Sequence, residues 1–391
     1  MSKNNKSSWL ESRLPVRKFL KHHFVQYLMP RNLNFWYLFG AFSVLVLVNQ
    51  IITGIWIAMV YTPSAEQAFS SIEHLMRHVP FGWLLRYLHS TGASAFFIVI
   101  YLHMYRAIIY GSYKAPRELL WLTGVFLFFL LMAEAFTGYV LPWGQMSYWG
   151  AKVIISLFGS VPLIGDSLVN WIQGDLVLSA VTLKRFFSFH VIAFPLVLIG
   201  FVIIHIVALH CVGSNNPDGN KSDKSKPLIP FHPFYTVKDC MAIVAFLFVF
   251  LSVVFYLPEF FGLFLEHDNF IQANPIITPV QIKPVWYFSP FYAMLRAVPD
   301  KLFGAVVMFS GVGVLALMPW LDRSKNNSIR YKGIYSKIAI ICLVVSFSCL
   351  GYLGAQAATT SNVVFARIMT LVYFLCFILM PFYTKLEKTN D

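Results

Sequence analysis

GWLLRYLHSTGASAFFIVIYLHMYRAI, residues 82–108, is apolar over most of its length yet holds two histidines, His89 and His103. An apolar run of roughly 20 residues is long enough to cross a bilayer as a helix. At roughly 100° per residue, the 14 steps from His89 to His103 return to within about 40° of the starting direction, with a rise of roughly 21 Å. One helix therefore aims an imidazole to one side near each membrane face. Arg86 lies three residues before the first histidine and Arg106 three after the second.

The whole chain has the same character. Of its 391 residues 58% are apolar, 17% aromatic and only 12% charged, about half the charge of an ordinary soluble domain. Disorder and most soluble enzymes are excluded. Eight apolar segments qualify as spans: about 35–60, 90–110, 119–141, 187–210, 238–257, 294–319, 336–356 and 363–383. An even number places both termini on one side. Of the 30 Lys and Arg, 21 fall on that side, Lys221, Lys224, Lys226, Arg323 and Lys332 among them, whereas the acids divide almost evenly. This bias marks the terminal side as cytoplasmic. It also accounts for the net charge of +13 without a nucleic-acid partner; the partner the pattern calls for is the lipid bilayer. The five cysteines form no CxxC or CxxCH, against a disulfide framework, a zinc site or covalent haem. The basic N-terminus has no secretory signal pattern.

The fourth span repeats the histidine pattern with His190 and His205, 15 apart. Both histidine-bearing spans run inward, so His89 pairs with His190 near the outer face and His103 with His205 near the inner one. Two stacked bis-imidazole sites in a helical bundle suit two b haems. A lone intramembrane histidine is often a packing residue; four with matched spacing are not explained that way. Gly40 and Gly54 on the first span, and Gly124 and Gly138 on the third, are also 14 apart. Glycine permits close approach, here of a flat macrocycle, the plainer alternative being helix–helix packing. Arg86 and Arg106 stand at the depth of haem propionates, which they can pair; the alternative is a snorkelling interfacial cation. The long connections about 142–186 and 258–293 are expected to form surface helices and a lid over an outer site.

These residues resemble cytochrome b of the cytochrome bc complex (quinol:cytochrome c oxidoreductase, complex III). The supporting motifs are GWLLRYLHSTGAS (82–94), GYVLPWGQMSYWGA (138–151), RFFSFHV (185–191), GSNNPDG (213–219), FHPFYTVKD (231–239) and KPVWYF (283–288). Eight continuous spans resemble the fused respiratory type. The resemblance implies an all-α integral membrane fold whose N-terminal four-helix bundle holds two non-covalent b haems. The expected organisation is a basic tail (1–31), the di-haem bundle (32–211), a cytoplasmic linker (212–235), a four-helix C-terminal domain with the outer quinol loop (236–384) and a short tail (385–391). It implies haem iron ligation by His89 and His190 (outer, low potential) and by His103 and His205 (inner, high potential). It further implies quinol oxidation outside, quinone reduction inside and proton translocation. Ubiquinol and ubiquinone are the expected substrates. The expected partners are a Rieske iron–sulfur protein and a membrane-anchored cytochrome c subunit, in a homodimeric complex of the bacterial inner membrane, with the mitochondrial inner membrane as the alternative. His210, Lys238 and Asp239 match the inner quinone site. An imidazole and a carboxylate can bond quinone carbonyls and relay protons.

Two departures stand out. The outer motif Pro-Glu-Trp-Tyr reads Pro284, Val285, Trp286, Tyr287 here, so the glutamate that would take a quinol proton is missing. Glu134, in a stretch (LLMAEAFTGY) otherwise free of charge, is the candidate to take over that role beside Tyr139, Gly144 and Tyr292; the alternative is a buried acid bonding a neighbouring helix. The spacing of 15 in the fourth span requires one extra residue to be absorbed, expected near Pro195, where a helical hydrogen bond is already lost. Two rival classes are a haem-b membrane anchor without a quinol-oxidising loop, and a transporter, which has no account of four matched histidines.

Overall fold

Hydrocarbon offers no partner for backbone N–H and C=O, so apolar runs of this length satisfy their hydrogen bonds internally, as helices. A computed structural model describes residues 9–21, 25–219 and 228–387. Lys221, Lys224 and Lys226 of the expected linker, and the ends of both expected tails, lie outside them. The membrane helices are α1 (Phe39–Ala58, led in by a single turn at Phe35–Tyr37), α2 (Gly82–Ile109), α3 (Glu118–Val140), α4 (Ala180–Val212), α5 (Phe234–Tyr256), α6 (Lys301–Ala316), α7 (Ile334–Ala355) and α8 (Thr360–Ile378). The chain is an all-α membrane protein. The addition to that plan is one two-stranded antiparallel sheet, Leu28–Pro30 against Leu228–Pro230.

Seven of the eight expected spans are apolar helices of 19 residues or more; the sixth differs. The expected segment 294–319 is broken by Pro299 and Asp300. Before the break lies a buried helix, Ser289–Ala297; after it the Asp300 carboxylate caps α6 by accepting from Phe303 N–H at 2.8 Å. At 16 residues α6 is the shortest of the eight, and through a turn at Leu317 it continues into Met318–Leu321.

Helix α1 packs on α2, and α3 on α4, while α2 and α4, the carriers of the histidines, pack on those neighbours rather than on each other. Lipid-facing residues such as Ile203, Val207, Met241, Val244 and Phe248 are more than half exposed. In water such a surface would be an unpaired apolar patch; in a bilayer it is the ordinary outer face. The two halves of the chain share one core, in which Phe97, Phe128 and Leu131 meet Tyr287, Met294, Val312, Leu350 and Phe377.

The extra residue in α4 is taken up by a π-helical turn, Phe189–Ala193, immediately before the helix resumes at Phe194 and Pro195. It lies at the histidine itself, just upstream of the expected place. Such turns widen a helix by one residue.

The long connections form the expected surface helices, Gln145–Phe158 and Gly165–Gln173, and a strap over them. Gln145 N–H donates to Ile271 O at 2.9 Å and Ala273 N–H to Trp143 O at 3.0 Å. Asn269 Oδ1 accepts from both the backbone N–H and the hydroxyl of Ser147, each at 2.9 Å. A Cβ at Gly144 would lie 2.3 Å from Asn269 Oδ1, so glycine there admits the strap.

Candidate functional site

The four histidines occupy two levels, as their spacing requires. The rings of His89 and His190 face each other with centroids 6.0 Å apart and planes at 90°. Two metal–nitrogen bonds of about 2 Å, plus roughly 1 Å from each nitrogen to its ring centre, fill such a gap. Each of the four glycines lies against one histidine. A Cβ would lie 3.4 Å from His103 Cε1 at Gly40, 3.1 Å from His89 Cε1 at Gly54, 3.2 Å from His205 Cε1 at Gly124 and 2.3 Å from His190 Cε1 at Gly138. The repeat of 14 thus clears room for imidazole edges on the facing helix.

The outward nitrogens are held. Thr53 Oγ1 lies 2.9 Å from His89 Nδ1 and its hydroxyl donates to Asn49 O at 2.7 Å. Thr123 Oγ1 lies 2.9 Å from His205 Nδ1 and donates to Leu120 O at 3.0 Å. With the ring protons on Nδ1, Nε2 is left as the free donor toward the pair partner, the arrangement metal-ligating imidazoles use. Arg106 lays its guanidinium 3.7 Å over the Tyr37 ring, and its Nε is buried without a partner. Arg86 is half-buried one turn before His89. Facing imidazoles, glycine clearances, ligand helices that do not pack on each other and an orphaned guanidinium nitrogen together fit a flat, anionic, metal-centred group at each level.

Beyond His89 on α2, Trp286 Nε1 donates to Ser94 Oγ at 3.0 Å, and Tyr287 stacks on Phe97 at 3.9 Å with planes 4° apart. The Tyr101 hydroxyl donates to Tyr287 O at 2.6 Å. Val285 is buried and Pro284 half-buried beside them. Tyr292 donates to Ile282 O at 3.3 Å, under the Arg296 guanidinium at 4.7 Å. The Pro-Val-Trp-Tyr segment is therefore joined to α2.

Glu134 was expected in this group. Its carboxylate instead turns to the histidines: Oε1 lies 3.0 Å from His190 Nδ1, and Oε2 is buried without a partner. The carboxyl that does meet Tyr139 is Glu266, in the strap, which accepts from the Tyr139 hydroxyl. Glu266 is 6% exposed. Burial pushes its pKa up to about 7, with Asp268 adding to the rise and the Tyr139 hydroxyl and Lys283 opposing it. Sequence reading passed over Glu266 because it looks like one more loop acid between Glu259 and Asp268. The tyrosine it meets lies 127 positions away.

At the other end of the bundle His210 lies at the end of α4 with its ring 4.5 Å from that of Tyr27. Lys238 is exposed and Asp239 half-buried in the first turns of α5, with Lys238 Nζ 5.4 Å over the Tyr235 ring. The two-stranded sheet ties this region together: Phe231 N–H donates to Tyr27 O at 2.8 Å, and the Tyr235 hydroxyl to Pro30 O.

Comparison with known proteins agrees with this geometry. Two family models match, Cytochrome b/b6/petB over residues 24–213 and Cytochrome b(C-terminal)/b6/petD over residues 272–374. The chain is 52% identical to cytochrome b of Allochromatium vinosum over 99% of its own length and 97% of that protein. With cytochrome b of Rickettsia bellii it shares 49% identity over 97% of its length and 94% of that protein. A solved structure described as a hyperthermophilic respiratory Complex III superposes with a TM-score of 0.91 at 36% identity, covering 96% of this chain and 98% of that one. The chain belongs to the cytochrome b family.

Proposed function

We propose that the chain is the electron-transfer subunit of a respiratory quinol:cytochrome c oxidoreductase. It carries two b haems, takes electrons from ubiquinol at an outer site and returns electrons to ubiquinone at an inner one. The observation that carries this reading is the pair of stacked imidazole sites, each ring backed by a glycine and three of the four rings held at Nδ1 by Thr53, Thr123 or Glu134. Bound there, each haem would supply a one-electron redox centre near one membrane face. Its iron would be held by His89 and His190 outside and by His103 and His205 inside. Gly40, Gly54, Gly124 and Gly138 give clearance, and Arg86 and Arg106 answer the propionates.

The chain's own part in the chemistry is to seat the quinone and manage its protons. Tyr139, Gly144, Pro284, Trp286, Tyr287 and Tyr292 form the outer seat, where Phe97 and Ser94 fix the aromatic rings and the strap keeps water out. Glu266, joined to Tyr139, has a pKa near 7 and so takes up or releases a proton close to neutral pH. His210, Lys238 and Asp239 form the inner seat. Its imidazole and carboxylate suit the quinone carbonyls. The partners are a Rieske iron–sulfur protein and a membrane-anchored cytochrome c subunit, in a dimeric complex of the bacterial inner membrane.

The test is a potentiometric titration of the visible spectrum of the purified complex. Two b-type components, one lost in His89→Leu and the other in His103→Leu, are expected. A single component would favour a haem anchor. Folded protein without haem would overturn the reading.

A further inference from the structure

The four imidazoles are not held alike. A threonine precedes the glycine at Gly54, Gly124 and Gly138, whereas Phe39 precedes Gly40. At the first two of these Thr-Gly pairs the threonine hydroxyl receives the imidazole Nδ1 proton and passes a hydrogen bond to its own helix. At the third it does not. The Thr137 hydroxyl turns back to Ala133 O and Glu134 O, each at 3.0 Å. The π-helical turn at Phe189–Ala193 carries His190 hardest against α3, as the 2.3 Å clearance at Gly138 records. There its Nδ1 lies 2.9 Å from Glu134 O and 3.0 Å from Glu134 Oε1. Among the described residues His190 is the member of the four whose Nδ1 meets a carboxylate.

A hydrogen bond to a carboxylate is about twice as strong as one to a neutral acceptor. A ligating imidazole that donates its second N–H to a carboxylate becomes a stronger donor to the metal and is fixed in tautomer and orientation. Stronger donation favours the oxidised iron, so axial ligands and their hydrogen bonds set haem potential.

We propose that Glu134 is a positioning residue of the outer haem, accepting the Nδ1 proton of His190 and thereby holding that haem at a lower potential than its neighbour. This rests on the function proposed above. It also gives Glu134 a task apart from taking a proton from quinol. Glu134 acts through His190 and touches neither substrate nor iron.

The experiment uses the intact purified complex with Glu134→Gln and Glu134→Asp. Haem content is measured chemically and each b component is titrated separately, the outer one being identified by its loss in His89→Leu. The expected result for Glu134→Gln is two retained haems and a positive shift of the outer midpoint. A tenfold change in that reduction equilibrium is about 59 mV for one electron. The inner midpoint stays put, and Glu134→Asp, which keeps the charge, restores part of the shift. An outer midpoint unmoved in Glu134→Gln with both haems present overturns the proposal, whatever happens to quinol turnover. If Glu134→Gln assembles without the outer haem, Glu134→Asp decides. A retained outer haem supports the carboxylate's role, and loss in both variants overturns it in favour of simple packing. Absence of two b components from the unaltered complex would instead defeat the parent reading.

Discussion

Two buried carboxyl groups at opposite faces of the molecule each accept a hydrogen bond from a tyrosine, and they meet opposite fates. At the proposed outer face Glu266 accepts from Tyr139 and its pKa rises to about 7. At the proposed inner face Asp322 accepts from Tyr113 at 2.6 Å and its pKa falls to about 2. Burial raises both. The difference is the cations: Lys332 Nζ lies 2.6 Å from Asp322 Oδ2 and Lys114 Nζ 3.3 Å from Oδ1, whereas Glu266 has only the longer-range pull of Lys283. A phenol alone does not keep a buried carboxylate charged; two ammonium groups do. The inner cluster is thus a fixed electrostatic pin between the α2–α3 and α6–α7 connections, and the outer one is a protonatable latch on the strap.

Removing the pin should have the largest effect. Asp322→Ala leaves two ammonium groups without their carboxylate, and breaking a buried pair costs about 3–5 kcal/mol. Thermal unfolding in detergent should show a drop of that order. Because the Asp322 pKa is depressed, its contribution is complete above the unfolded value of 3.8 and is lost as pH falls through about 2. Retention of wild-type stability in the variant at neutral pH would show that the pin bears no load.

Glu266→Gln should act with the opposite sign. A raised acid binds more protons folded than unfolded, so wild-type stability falls as pH rises from about 4.5 to about 7 and then levels. The span of that fall is about 3 kcal/mol. The glutamine variant lacks it: it should match wild type at low pH and exceed it above pH 7. Unfolding midpoints across pH 4–8 check this. A parallel pair of curves would mean that Glu266 stays charged and the contrast with Asp322 is false.

The contrast between faces also marks what was legible in the chain. The apolar runs, the four histidines and the glycine repeat are local patterns with fixed periods, and the runs were readable although the second and fourth helices begin earlier than expected, at Gly82 and Ala180. The π-helical turn was readable as well, since a spacing of 15 in place of 14 has to be absorbed somewhere, and Pro195 pointed to within a few residues of the place. The shortened sixth span was misread because 294–319 is apolar apart from Arg296, Asp300 and Lys301 near its start. The Pro299–Asp300 pair, a helix stop followed by a cap, carried the missing signal. The partners of the acids were not legible. Glu134 was assigned to quinol because the glutamate expected at Val285 is missing and Glu134 stands alone in an uncharged stretch, but its carboxylate meets the ring of His190, 56 residues on. Glu266 meets a tyrosine 127 positions away and Asp322 one 209 positions away, and no periodicity reports such contacts.

The outer and inner imidazole pairs can be separated by adding one methyl group. Gly138→Ala puts a Cβ 2.3 Å from His190 Cε1, while Gly40→Ala puts one 3.4 Å from His103 Cε1, an ordinary contact. Overpacking costs about 1–3 kcal/mol, and here it falls on an imidazole proposed to hold a haem. Gly138→Ala should deplete the outer b component in the reduced-minus-oxidised spectrum, and Gly40→Ala should leave the inner one near its normal amount. Equal losses would erase the difference between the pairs that the π-helical turn creates.

The smallest effect, and the finest test of the latch, is Tyr139→Phe. The Tyr139 hydroxyl lowers the Glu266 pKa against the rise from burial, so its loss should push that pKa above about 7 and stretch the pH range over which stability falls. Below pH 4.5 the carboxyl is protonated in both states, and the variant should differ from wild type only by one neutral hydrogen bond, about 1 kcal/mol. Above pH 7 the deficit should grow, because the lost donor then served a charged acceptor. Unfolding curves of Tyr139→Phe, Glu266→Gln and the double variant separate the two contributions. With glutamine at 266 there is no charge to serve, and the cost of Tyr139→Phe should become independent of pH. If that cost still grows with pH, the phenol answers some other acid, and the latch at the outer face is not the Tyr139–Glu266 pair.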